Sequence, residues 1–394
     1  MSQTAASGVR PIKYAMVGGG QGAFIGAVHR AAARLDGRWE LVAGAFSSTP
    51  ERSRASGAEL GLDASRCYGT WQEMLTGERA LPEGTRAEAV VIVTPNHTHY
   101  SIAKGCLQHG FHVICDKPLV ATVEEAQRLV EAAEKSGLVF AVTYNYTGYP
   151  MIRKARELVH TGAIGPVRKV FVEYHQGWLA TDLEAAGQKQ ASWRSDPAKS
   201  GGGGSIGDIG THAENLLSFV TGLEITSLAA ELTSFVPGRR VDDDATIMLR
   251  MTKGARAVIT VSQICVGERN NLTLRVHGET GSLFWQQERP EELTVCKLSG
   301  ERLILSRGDD HGPIAAAATR LPSGHPEGFL EAFGNLYRGA AEAVLARKAG
   351  TPAAAESPAA LVPGARDGLR GVQFVDACLR SADANAGWVS LDGE

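Results

Sequence analysis

The sequence predicts two domains in series: an α/β domain on a parallel sheet, then an α+β domain with a large, mostly antiparallel open sheet. Three observations point there. Up to residue 146, short and uniformly apolar runs alternate with helical stretches, the pattern of a parallel sheet covered on both faces. Later the period drops to two. Leu272, Leu274 and Val276 alternate with Thr273, Arg275 and His277, which marks a strand with one buried face. The 394 residues also suffice for two separate cores. The domains are expected at 1–146 and 147–394, with residues 1–10 flexible and the last helix packing back on the first domain.

In the first domain, residues 13–17 form an apolar strand ending in Gly18-Gly19-Gly20, and an Ala-rich helix follows over 25–35. A second strand covers 41–43. Thr49 is placed to N-cap the next helix, with Pro50 at its first position. Residues 89–93 are a third strand, followed by a helix running to about His109. The fourth strand covers 112–116. Thr122-Val123-Glu124-Glu125 is a capping box for a helix that Gly137 ends, and 139–143 closes the series. In the second domain a helix over 150–160 precedes strands at 167–174, 228–235, 247–251, 257–261, 272–276, 283–286, 293–298 and 302–305. Thr252-Lys253-Gly254 reads as a hairpin turn. Residues 308–326 and 349–363 read as irregular, and a final helix lies near 369–379.

Composition narrows the function. Apolar content of 43%, charged content of 21% and a net charge of -3 describe an ordinary globular chain without a basic footprint for nucleic acid or a membrane surface. No apolar run is long enough to span a bilayer. The N-terminus lacks an apolar signal core, so a cytoplasmic protein is expected. Six scattered cysteines fit neither a disulfide framework nor a zinc site, and no metal is expected.

In a parallel sheet, ligands bind beyond the carboxyl ends of the strands. Gly18, Gly20 and Ala23 satisfy the G-x-G-x-x-A spacing between a strand and a helix, a Rossmann dinucleotide fingerprint. Gly26 fits better as the third glycine, after a loop lengthened by residues 21–25, so Gln21, Gly22, Ala23, Phe24 and Ile25 are expected at the phosphates. The second strand ends without the usual carboxylate. Ser47, Ser48 and Arg52 stand there instead, and they suit the 2′-phosphate of NADP or the free hydroxyls of NAD.

Two further clusters carry chemistry. Lys117, in Asp116-Lys117-Pro118-Leu119, ends the fourth strand, where partial desolvation of an ammonium would lower its pKa. A solvated loop lysine is the plain alternative. Asp208 and His212, in Gly207-Asp208-Ile209-Gly210-Thr211-His212, stand at i and i+4 in the first turn of a helix. A carboxylate there would orient an imidazole as a general base. An acid beside the helix dipole with a bystander histidine is equally compatible with the spacing.

Together, Thr94-Pro95-Asn96-x-x-His99, Asp116-Lys117-Pro118, Tyr144-Asn145-Tyr146 and Gly207-Asp208-x-Gly210-x-His212 resemble the Gfo/Idh/MocA family of oxidoreductases, over residue 12 to about 379. The family usually has Glu-Lys-Pro, so Asp116 is a conservative departure. The resemblance implies that Lys117, Asp208 and His212 form the catalytic group. It also implies that Thr94, Asn96, His99, Asp116 and Asn145 line the cofactor, NAD or alternatively NADP, whose retention between turnovers stays open. A homodimer or homotetramer through the second sheet is implied as well. The expected substrate is a cyclic polyol or sugar: an inositol, an aldose or the 3-hydroxyl of a glycoside. Tyr146, Trp193, Arg194 and His325 are expected to bind it beside Lys117, Asp208 and His212. Each of Trp193, Arg194 and His325 also fits a plainer structural role. Two rival readings are a non-catalytic dinucleotide sensor and a metal-dependent hydrolase using His97, His99, Asp208 and His212.

Overall fold

In the computed structural model, residues 10–188, 191, 196–197 and 201–391 are described; Trp193 and Arg194, and residues 1–9, lie outside them. The first sheet is parallel and contains β1 (Ile12–Gly18), β2 (Trp39–Ala45), β3 (Ala89–Val93), β4 (His112–Cys115) and β5 (Phe140–Val142), in the order β2-β1-β3-β4-β5. Between them run α1 (Phe24–Arg34), α2 (Pro50–Glu59), α3 (Trp71–Ala80), α4 (His99–Gln108) and α5 (Val123–Ser136). All five residues of β3 are buried, as a central strand covered on both faces requires.

Local chemistry sets most of the helix ends. Thr122 Oγ1 accepts the Glu125 N–H, and Gly137 closes α5 at φ 63°, a left-handed conformation that suits glycine. Thr49 is the N-cap residue of α2 and Pro50 its first helical residue, as expected, although the Thr49 side chain makes no cap bond. α3 was not legible as a helix, although Thr70 and Glu73 form a full capping box at its start.

α6 (Pro150–His160) leads into a nine-stranded sheet. Its members are β6 (Val167–His175), β7 (Ile225–Thr233), β8 (Asp244–Met251), β9 (Arg256–Ser262), β10 (Asn271–Gly278), β11 (Gly281–Gln286), β12 (Glu292–Lys297), β13 (Arg302–Ser306) and β14 (Val389–Ser390). The order is β13-β12-β11-β10-β6-β9-β8-β7-β14. One central pair, β6 with β9, is parallel; the other pairs are antiparallel. A turn of wide π geometry (Ile206–Gly210) runs directly into α7 (Thr211–Thr221), which covers the inner face of the sheet.

The segment after β13 is more ordered than its composition suggests. It holds the short α8 (Pro313–Ala317), and Glu327 accepts from Arg307 and from the Arg320 and Leu321 N–H groups. The 20-residue α9 (Phe329–Lys348) then returns to the first domain. There Tyr337 O accepts from the Trp39 indole, and Tyr337 OH lies 2.8 Å from His29 Nδ1. Arg320 and Arg338 both pair with Asp36. α10 (Ala365–Asp383) lies against α5 and β7, so the last helix does contact the first domain. Among the described residues no helix is long and apolar enough to cross a membrane.

Two imidazoles are buried neutral in this framework. His29, on α1, packs against Phe333 of α9, and the His112 Nδ1 accepts the Val139 N–H. Desolvation lowers each pKa to about 4 from 6.5. Because the folded-state value lies below the unfolded one, the associated stability is present above pH ~6.5 and is lost as pH falls towards ~4. Each histidine can account for up to roughly 3 kcal/mol of that loss. Denaturant midpoints measured across this range should therefore fall steeply for the native chain and less steeply for His29→Gln; equal slopes would show that His29 does not contribute.

Candidate functional site

The cavity of about 1060 Å³ lies where the carboxyl ends of β1–β4 face the second domain. That is at the upper end of ligand pockets, about 300–1,000 Å³. Its floor is the turn after β1. Gly18 has φ +82°, and a Cβ on it would meet Val93 O at 2.7 Å, so only glycine fits. A Cβ on Gly26 would lie 2.4 Å from the Gly19 Cα, which makes Gly26 the residue that lets α1 approach the turn. The Gly20 N–H donates to Phe46 O and the Gln21 N–H to Ser56 Oγ. The open donors therefore lie further on, at the start of α1. That helix has no side-chain cap and no acid in its first turn, and Phe24 and Ile25 line the cavity. An uncapped N-terminus of this kind has the free N–H groups that a phosphate can accept from. Gln21 and Ala23 also line the cavity; Gly22 does not, which corrects its expected role.

Ser47, Ser48 and Arg52 line the far end, joined by Thr70, Trp71 and Gln72 from the start of α3. Toward the second domain, Thr94 and Asn96 follow β3, and Asn145 follows β5. The Asn145 Nδ2 is buried without a partner, a donor that a bound ligand would satisfy. Asp116 Oδ1 accepts from the Lys117 N–H and from Thr143 Oγ1, both at 2.9 Å, which shapes the lysine turn. His99 is a further correction. It is buried beneath the cavity, with Nδ1 3.0 Å from Pro118 O and Nε2 2.8 Å from Thr94 O, so it ties two loops together.

At the domain junction, Lys117 Nζ donates to Asp208 Oδ1 at 2.9 Å and to Asp208 O at 2.7 Å. The other carboxylate oxygen, Oδ2, accepts from Gln263 Nε2 at 2.9 Å. His212 lies next to this group, with its ring 4.8 Å from Tyr146 and 5.8 Å from Tyr144. Burial and the Lys117 charge hold its pKa well below the usual histidine value, against the opposing pull of Asp208. The ring is therefore neutral. Its Nδ1 is buried and unpartnered, so the expected orienting bond from Asp208 is absent. The physical reason is the π turn, in which residues four apart no longer stack as they do in an α-helix.

Tyr146 lines the cavity, but its hydroxyl lies 2.5 Å from Tyr174 OH and accepts from Asn270 Nδ2 at 3.1 Å. His325 is exposed and lies outside the cavity. Sequence reasoning missed Gln263, Tyr174, Gln176, Trp71 and Gln72. Only the last two had a local signal, the Thr70–Glu73 capping box.

Known proteins agree with this architecture. Residues 12–144 match the oxidoreductase family with an NAD-binding Rossmann fold, and residues 152–284 match the GFO/IDH/MocA C-terminal domain. An oxidoreductase structure from Sinorhizobium meliloti is 46% identical, with TM-score 0.87 over 97% of this chain and 100% of that one. An inositol dehydrogenase homolog from Azotobacter vinelandii, complexed with NADH and myo-inositol, is 35% identical, with TM-score 0.87 over 97% and 98%. The uncharacterized oxidoreductase YfiI of Bacillus subtilis is 34% identical over 386 residues, 97% of each chain. With both of its domains matched, the chain belongs to the Gfo/Idh/MocA family of oxidoreductases, and its first domain is an NAD-binding Rossmann domain.

Proposed function

We propose that this oxidoreductase oxidises a ring secondary hydroxyl of a cyclic polyol or sugar, with an inositol as the first candidate. The observation that carries the reading is the meeting of Lys117, Asp208 and His212 at one end of the dinucleotide cavity. The myo-inositol bound in the Azotobacter vinelandii relative supports the substrate class. NAD, when bound, supplies the hydride acceptor. The chain's own residues then handle the proton. Lys117 has three N–H donors, and two are spent on Asp208. The third can bind the substrate oxygen and stabilise the negative charge that grows on it as the proton leaves. His212, a neutral imidazole with Nδ1 buried, offers Nε2 to accept that proton. Asp208 serves Lys117 here rather than His212. A homodimer or homotetramer belongs to the same proposal; the exposed Met248 and Ile304 on the second sheet would suit such a contact.

Reduction of NAD and of NADP, followed by nicotinamide absorbance against inositols, aldoses and simple glucosides, tests the reading directly. Turnover of at least one cyclic polyol or sugar is expected, and silence across the panel would sink the substrate class. Lys117→Ala and His212→Ala should each lower kcat by roughly 10²–10⁴-fold. NAD affinity, read by fluorescence, should change little in either variant. At the adenosine end, Ser47→Asp should restore a carboxylate for the ribose hydroxyl and raise the preference for NAD over NADP. An unchanged preference would place the ribose elsewhere.

A further inference from the structure

Gln263 follows β9, is 2% exposed and does not line the cavity. Its backbone is fixed on both sides, donating to Asp243 O at 2.8 Å and accepting from the Leu179 N–H at 3.0 Å. Its amide therefore has little freedom. Nε2 donates to Asp208 Oδ2 at 2.9 Å and has a longer 3.4 Å contact with Gln176 Oε1, the atom that also accepts the Trp178 indole N–H. The assignment of the amide nitrogen follows from its partner, because the amide oxygen would repel the carboxylate.

We propose that Gln263 is a positioning residue for the reaction: it occupies the second oxygen of Asp208, so that the carboxylate stays on Lys117 and away from His212. The two oxygens are held from different domains, Oδ1 by Lys117 and Oδ2 by Gln263. Without the amide, Oδ2 would lose the Gln263 donor and be freer to shift towards the His212 ring, whose Nδ1 is unpartnered. A shift of the carboxylate towards that ring would favour imidazolium, which cannot accept a proton. Among the described residues, the titratable groups that face Asp208 include Lys117 from the turn after β4, His212 on α7, Tyr146 after β5 and Tyr174 on β6. Beside these groups, Gln263 is a neutral donor that stabilises the carboxylate without adding charge.

The inference rests on the proposed roles of Lys117 and His212, so the test carries a control for them. Gln263→Leu and Gln263→Glu are compared with the native chain in oxidation of myo-inositol by NAD, across pH. Removal of the donor in Gln263→Leu should raise the proton affinity of the Asp208 group and move the acid limb of kcat upward in pH. The nearly isosteric Gln263→Glu, which adds a like charge, should move it further. Misplacement of Lys117 should lower kcat in Gln263→Leu by roughly 10–100-fold, while KM for NAD stays unchanged. If Gln263→Leu does not fold, Gln263→Glu decides by its acid limb. An unmoved limb and undiminished kcat, with Lys117→Ala inactive, would overturn the role of Gln263 alone. An active Lys117→Ala would remove the proposed site, and the role of Gln263 with it.

Discussion

The ion pair between Lys117 and Asp208 is the contact on which the site depends. One partner comes from the end of β4 in the first sheet, the other from the π turn before α7 in the second domain. Side-chain exposures of 16% and 19% put the pair between solvent and interior. In that setting the loss of one partner is costly chiefly because it strands the other charge. The pair therefore does more than attract: it leaves the turn that each domain contributes to the cavity incomplete without the other. Asp242 reinforces the acidic side. Its carboxylate accepts from the Gly204 N–H, Ser205 Oγ and the Ile206 N–H, which pins the start of the turn that carries Asp208.

A contact so sensitive to distance needs rigid domains at a constant separation. The returning helices supply this. α9 anchors on the first domain through Tyr337, which meets Trp39 and His29, while Asp36 gathers Arg320 and Arg338. The close fit extends to Gly148, where a Cβ would lie 2.0 Å from Ala332 O in α9. α10 adds a second strut, with Gly368 packed against Leu119, two residues after Lys117. The lysine turn is thereby braced by the last helix in the chain.

The surroundings of His212 show how one site can hold a cation, an anion and a neutral imidazole side by side. Aromatic rings and burial disfavour the imidazolium, and the Lys117 charge adds to that effect. Asp208 would oppose it, but its carboxylate oxygens are engaged by Lys117 and Gln263. Charge is thus concentrated on one side of the cavity end, and a neutral imidazole is left on the other. This division of roles differs from the direct Asp–His couple that the i, i+4 spacing suggests.

Short-range signals in the chain were enough to determine the two kinds of sheet, the glycine turn and the residue types at the strand ends. Period, capping and glycine placement act within a few residues, so they are written locally. α9 escaped because its apolar residues face two domains at once, which blurs the one-sided stripe that marks a helix. His99 and His325 have the composition of site residues, yet one is a buried loop tie and the other lies outside the cavity. Gln263 carries no local mark at all. Only the tertiary structure decided which donor each oxygen of Asp208 receives, because those donors come from segments 91 and 55 residues away. Hydrogen-bond partnership at that range depends on how the sheets are placed, not on sequence spacing.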